Sequence, residues 1–177
     1  MAVVWLSASF GYYLIGYQLK YIKGDLYVNA VITSSSEIAA YLVSGFLFEK
    51  FGIKIVLSAS FLISMMGMGA LIAYRPGDRP DADNNQFLIS LFILGSIGGV
   101  SCAFNICYLG THTLFPVSIV ATAFGVCNCA ARVFTIAAPY VAELPPVTTS
   151  QYAFLGVVFA AFACSILIRK PLHSLNS

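Results

Sequence analysis

Long apolar runs, separated by short polar interruptions, set the pattern of this chain. Six runs bounded by charge or proline stand out: Val3–Tyr21, Val28–Phe48, Ile55–Tyr74, Phe87–Leu109, Ile119–Val141 and Tyr152–Ile168. A bilayer's hydrocarbon core is roughly 30 Å thick and takes about 20 apolar residues per helix, which these runs match. Alternation at period two is absent, and each run outlasts the roughly ten residues of a barrel strand. The pattern therefore predicts an all-α membrane protein, one domain over residues 1–177 with six transmembrane helices. The interruptions carry turn chemistry: Lys23-Gly24-Asp25, the stretch Glu49 to Lys54, the polar loop RPGDRPDADNNQ at 75–86, Phe115-Pro116 and Leu144-Pro145-Pro146.

Composition narrows the function. Charged residues make up 9% of the chain and hydrophobic ones 59%, against about 25% charged in a soluble domain. A wet-surfaced soluble enzyme and a disordered segment are both excluded, and the first partner is the lipid bilayer. The net charge of +2 comes without a basic cluster, so nucleic acid has no phosphate track to bind. The apolar start reads as a full span rather than a cleavable signal peptide. All five cysteines fall inside the runs at no metal spacing, and read as small packing residues. His112 and His173 are isolated, and Ser34-Ser35-Ser36 lacks a base, so no enzyme activity and no cofactor are expected. The membrane itself, plasma or an organelle's such as the mitochondrial inner membrane, is open.

Six crossings put both ends on one side. Lys50, Lys54, Arg169 and Lys170 fall there, against Lys20, Lys23, Arg75 and Arg79 opposite, so the positive-inside rule ties. Asp25, Asp78, Asp81, Asp83 and Glu143 on the opposite side tilt the net charge toward inner termini.

Two charges lie deep in the apolar runs. An ionisable residue at bilayer depth costs at least ~2.5–3.5 kcal/mol on insertion scales and is a functional-site hypothesis by default. Glu37 stands twelve residues before Glu49, and Arg132 thirteen after Ile119. At ~1.5 Å per residue they lie ~18 and ~20 Å from the same membrane face. The acid and the base therefore share a level. Each has polar company at helical spacing: Asn29, Thr33, Ser36, Tyr41 and Ser44 with Glu37, and Asn128 and Thr135 with Arg132, followed by Pro139. Such stripes face either a water-filled solute cavity or other protein, in which case the two charges form a buried pair that only packs helices. Trp5 and the tyrosines of the first run read equally as interface anchors or cavity walls. Gly95 with Gly99, and Gly67 with Gly69, offer close helix approach.

These features, in this order, resemble the C-terminal six-helix half of a major facilitator superfamily transporter, nearest the organic cation/anion/carnitine transporter branch. Gly45-Phe46-Leu47-Phe48-Glu49-Lys50-Phe51-Gly52-Ile53-Lys54 is similar to the superfamily's loop motif G-x-L-x-D-R-x-G-R-R, with Gly45, Glu49, Lys50, Gly52 and Lys54 as its matching positions. Ser36-Glu37-Ile38-Ala39-Ala40 resembles the eighth helix, and Gly95 through Phe104-Asn105 to Tyr108 the tenth. Leu114-Phe115-Pro116 resembles the family's E-L-[FY]-P, and Gly125-Val126 through Arg132 to Ala138-Pro139-Tyr140 the eleventh helix. The resemblance implies cytoplasmic ends. It also implies a charge selector at Arg132, acidic in cation transporters and basic where anions or zwitterions are carried. Departures are as plain: Glu49 stands for Asp, Ile53 for Arg, Thr113 for Glu and Val120 for a basic residue, all in the salt-bridge latch of rocking transporters.

Two functions remain. One is transport of a small organic ion or zwitterion by a half-transporter, with Glu37, Arg132, Tyr12, Tyr13, Asn128 and Tyr108 as substrate-binding residues and a second six-helix half as partner. The alternative is a degenerate transporter fold kept as an accessory subunit of a large membrane complex, such as a respiratory assembly, with no transport. The eroded latch and the missing second half motivate it.

Overall fold

A computed structural model of the chain describes residues 1–18, 26–74 and 86–167. The first turn with Lys20, Lys23 and Asp25, the polar loop with Arg75, Asp78, Arg79, Asp81 and Asp83, and the C-terminal Arg169, Lys170 and His173 lie outside the described residues. Every element among the described residues is a helix: α1 (Ala2–Gln18), α2 (Leu26–Tyr74), α3 (Gln86–Leu114), α4 (Val117–Thr135), α5 (Ala137–Ala142) and α6 (Val147–Leu167). Among the described residues, four stretches are long and apolar enough to cross a membrane: Thr33–Tyr74, Leu88–Leu114, Val117–Ala142 and Thr148–Leu167. The apolar helix Ala2–Tyr17 is shorter.

The 49-residue α2 is not one rod. At ~1.5 Å per residue it would run ~70 Å, over twice the hydrocarbon thickness. Gly52 adopts φ 77 and ψ 169, a backbone region open essentially to glycine, and interrupts it. Contacts with α3 give the direction of each arm. Ser96, Gly99 and Gly110 of α3 meet Ser64, Ser60 and Ile53 in turn, an antiparallel run. Cys102 and Asn105 bond Ala40 and Ser44, a parallel one. The chain therefore reverses at Gly52, and α3 packs against both arms, 26–51 and 53–74.

Close approach of the second arm and α3 depends on two glycines. A Cβ on Gly67 would sit 2.7 Å from the Phe92 carbonyl oxygen, and one on Gly99 2.6 Å from that of Ser60. Gly69 faces open space and Gly95 only nears the Gly67 backbone, so of the four glycines read as packing signals two make the tight crossing. The arm also joins α6 through the Ser58 and Ser165 hydroxyls, 2.8 Å apart.

α1 is the hub. It touches α3, α4, α5 and α6, and buries Val4, Trp5, Ala8, Phe10, Leu14 and Ile15. Trp5 is fully buried: its ring lies 4.7 Å from Tyr108 and 5.4 Å from Phe124, and its indole N–H donates to Thr111 Oγ1 at 3.0 Å. It is thus neither an interface anchor nor a cavity wall but core. The run expected over Ile119–Val141 is divided at Ile136 into α4 and α5. Pro139 has no N–H to return to the Thr135 carbonyl, which accounts for the break. Large apolar side chains lie exposed on every helix from α1 to α6, Val3, Leu42, Leu91, Val133, Tyr140 and Leu167 among them. In lipid these are ordinary solvent contacts; in water they would aggregate.

Candidate functional site

Among the described residues, the backbones of α1 and the first arm of α2 do not come close. The gap is a cleft of about 360 Å³, walled by Tyr12, Tyr13 and Tyr17 from α1 and by Thr33, Ser34 and Glu37 from the arm, with Ile97 of α3 beside them. Small-molecule sites start at roughly 300 Å³, so it is large enough for a small solute.

Glu37 is half-buried in this wall, and the Tyr12 hydroxyl donates to its Oε2 at 3.1 Å. The Tyr12 ring is fixed from the other side by Phe104, stacked at 5.8 Å and 12°. Its neighbour Tyr13 meets it edge to face at 5.5 Å and 89°. On α4, Arg132 is exposed, and its Nη1 donates to the Tyr13 hydroxyl oxygen, with the guanidinium carbon 5.6 Å from the Tyr13 ring centre. Successive helix positions point about 100° apart. Two adjacent tyrosines of α1 can therefore address charges on two different helices. Among the described residues, Glu37 and Arg132 do not form the direct buried ion pair that was one reading of their shared depth. Each is bonded instead to one of the two phenols.

The polar stripe around Glu37 divides its work. Thr33 faces the cleft, while the Ser35 and Ser36 hydroxyls are returned to the Val31 and Thr33 carbonyls of their own helix. Ser44 accepts from Asn105 Nδ2 at 2.7 Å, and Asn105 also donates to the Tyr41 carbonyl, which ties the arm to α3. The Asn29 side chain lies outside the described residues. Along α4, the Thr135 hydroxyl caps the Ala131 carbonyl and meets the Ser9 hydroxyl of α1 at 3.0 Å.

Other expected site residues sit elsewhere. Asn128 is half-buried one turn before Arg132 and does not line the cleft. Tyr108 packs with Trp5, Phe104 and Phe124, and connects to the cleft through the Phe104–Tyr12 stack rather than lining it. Gly45, Glu49, Lys50, Gly52 and Lys54 form the tip of the α2 hairpin. Glu49, Lys50 and Lys54 are exposed there, with Lys50 Nζ 5.5 Å from the Phe51 ring. Ile53, standing where the loop motif has an arginine, is buried against Gly110. Thr113 returns its hydroxyl to the Gly110 carbonyl. One latch position is thus absorbed into packing, and the other, exposed, is bonded within its own helix.

Sequence reasoning missed the Trp5–Thr111 and Ser9–Thr135 bonds. Thr111 and Ser9 read as filler in apolar runs, and only the tertiary arrangement pairs them with Trp5 and Thr135.

No family model matches the chain. Among curated proteins, mouse solute carrier family 22 member 4 is 28% identical over 141 residues, covering 79% of this chain and 24% of that protein. Solute carrier family 22 member 15 of Xenopus tropicalis is 29% identical over 171 residues, 93% of this chain and 30% of that protein. Human organic cation/carnitine transporter 2 is 22% identical over 138 residues, 78% and 24% respectively. The chain spans between about a quarter and a third of the length of these relatives. With its apolar helices, this marks a multi-pass integral membrane protein. Across most of its length, the chain is similar at low identity to the solute carrier family 22 organic cation and carnitine transporters.

Proposed function

We propose that the chain is the C-terminal six-helix half of a major facilitator-type transporter and that it forms one wall of a site for a small organic ion or zwitterion. The six crossings are α1, the two arms of α2, α3, α4 with α5, and α6. The reversal at Gly52 supports counting the arms separately. A 17-residue α1 is at the short end of what spans a bilayer.

The observation that carries the reading is a cleft lined by Glu37, with Arg132 outside the lining but bonded to the Tyr13 of its wall. An acid and a base at similar depth are held by adjacent tyrosines of one helix, and neither is spent on the other. Opposite charges at one level suit the opposite ends of a zwitterion. Helix N-termini and side chains facing a repeat interface near the bilayer midplane are where such folds bind solute, so the second wall would come from another six-helix half. The exposed Arg132 on the thinly covered α4 is consistent with that partner.

The test is uptake in proteoliposomes that hold this chain with its partner half. Arg132→Ala and Glu37→Gln are expected to abolish flux of a labelled zwitterion, while Gly69→Ala, in open space, leaves it intact. Unchanged flux in Arg132→Ala removes the proposed role. The buried Ile53 favours a second reading, a structural subunit in which nothing rocks. Recovery of the chain in mild detergent in fixed ratio with unrelated subunits, and without uptake, would establish that instead.

A further inference from the structure

We propose that Tyr12 and Tyr13 are caps for the two membrane-embedded charges, and that a solute's own charged ends displace their hydroxyls. The inference rests on the transport reading for its solute, but not for the caps themselves.

A carboxylate needs a donor and a guanidinium needs an acceptor. A phenol is both. Tyr12 gives its proton to Glu37, and Tyr13 offers its oxygen to Arg132, so one residue type at consecutive positions serves opposite charges. With the cleft empty, the two hydroxyls replace part of the hydration that each charge gives up at this depth, where an unpartnered charge is costly. The Phe104 stack and the edge-to-face Tyr12–Tyr13 contact hold the rings in place for this. Glu37, Tyr12 and Tyr13 all line the cleft, so an incoming cation would reach the carboxylate from the side on which Tyr12 sits. An ammonium end replaces a neutral hydroxyl with a full charge. Arg132 does not itself line the cleft, and a carboxylate end would reach it by taking the place of the Tyr13 hydroxyl that stands between. Neither tyrosine is then merely a wall: each is a positioning residue that stabilises the empty site and competes with the solute.

A cap and a wall respond oppositely to loss of the hydroxyl. The experiment uses the assembly of this chain with its partner half, purified in detergent, with Tyr12→Phe and Tyr13→Phe made alone and combined with Glu37→Met and Arg132→Met respectively. Each ring is kept, so folding is preserved. Thermal melting of Tyr12→Phe is expected on the order of 3 °C below the unmodified chain. That drop is expected to vanish in the Glu37→Met background, where no charge needs a cap, and the Tyr13–Arg132 pair should behave alike. Ligand-induced melting shifts are then titrated with trimethylglycine, tetramethylammonium and butyrate. Half-saturating trimethylglycine is expected to fall about tenfold in Tyr12→Phe, since no hydroxyl has to be displaced. Tetramethylammonium should follow Tyr12→Phe alone, and butyrate Tyr13→Phe alone. Additive melting losses in the double variants overturn the caps whatever the solutes do. Weaker or unchanged trimethylglycine binding in Tyr12→Phe overturns displacement. An assembly with coupled melting that ignores all three probes refutes the transport reading and keeps the caps.

Discussion

Ser64 and Ser96 exchange hydrogen bonds across a helix crossing: each hydroxyl donates to the other's backbone carbonyl, at 3.0 and 3.1 Å. Side chains this short reach a neighbouring backbone only when the helices nearly touch. Gly67 and Gly99, beside these serines, make that approach sterically possible. In lipid there is no hydrophobic drive between helices, so such contacts decide which faces pair.

Gly99→Ala places a methyl group 2.6 Å from the Ser60 carbonyl, a backbone atom that cannot swing away. The arm 53–74 would have to move off α3, at about 1–3 kcal/mol. Thermal melting in detergent should show the loss, while Gly69→Ala, with nothing within 4 Å of its Cβ, leaves the midpoint where it was. Equal midpoints for the two variants would mean that the crossing contributes nothing.

Gly52 tests a different cost. Nothing lies within 4 Å of a Cβ there, so Gly52→Ala carries only the backbone strain of φ 77, about 1–3 kcal/mol. Gly45→Ala, seven residues earlier in open space, should be neutral or slightly stabilising because alanine is the better helix former. Comparing the melting midpoints of these two variants isolates the reversal. A Gly52→Ala chain as stable as the Gly45→Ala chain would argue that the helix runs on without turning.

Trp5 is the sole tryptophan, so its fluorescence reports one place. Sealed among Phe104, Tyr108 and Phe124, it should emit at short wavelength and resist quenching by aqueous iodide. A tryptophan anchored at the lipid–water boundary would be quenched. Trp5→Phe removes the donor to Thr111 and leaves space beside Tyr108, together costing about 2–4 kcal/mol in the melting experiment.

The helices, the turn at 49–54 and the two charges inside apolar runs could be read from residue order alone, because length, apolarity and stray charge are local properties. What each helix face meets could not. A membrane helix is apolar toward lipid and toward its neighbours alike, so α1 shows no stripe to say which side is inner. That is why Trp5 and Tyr12 looked equivalent, although one is core and the other lines the cleft. The partners of Glu37 and Arg132 were hidden for the same reason. Tyr12 and Tyr13 lie 25 and 119 residues from them in the chain, and only the packing of α1 brings them together. Ile53 shows the reverse case: read as an eroded latch position, it fills a place against Gly110 that a charged side chain would not occupy without cost.

Charge reversal at Arg132 separates a binding role from a packing one. Arg132→Glu keeps a long polar side chain on the exposed face of α4, where it fills no core space. A glutamate there can still accept a hydrogen bond from Tyr13, so that contact survives with its direction inverted. Two carboxylates at one level then favour a cation and repel the anionic end of a zwitterion. In the assembly with its partner half, trimethylglycine uptake should fall by about tenfold or more while tetramethylammonium uptake is retained or rises. Arg132→Met should lose the zwitterion without gaining the cation, because it removes a charge and supplies none. If the glutamate and methionine variants show the same solute preference as the unmodified chain, Arg132 is not facing the solute and the cleft is served by Glu37 alone.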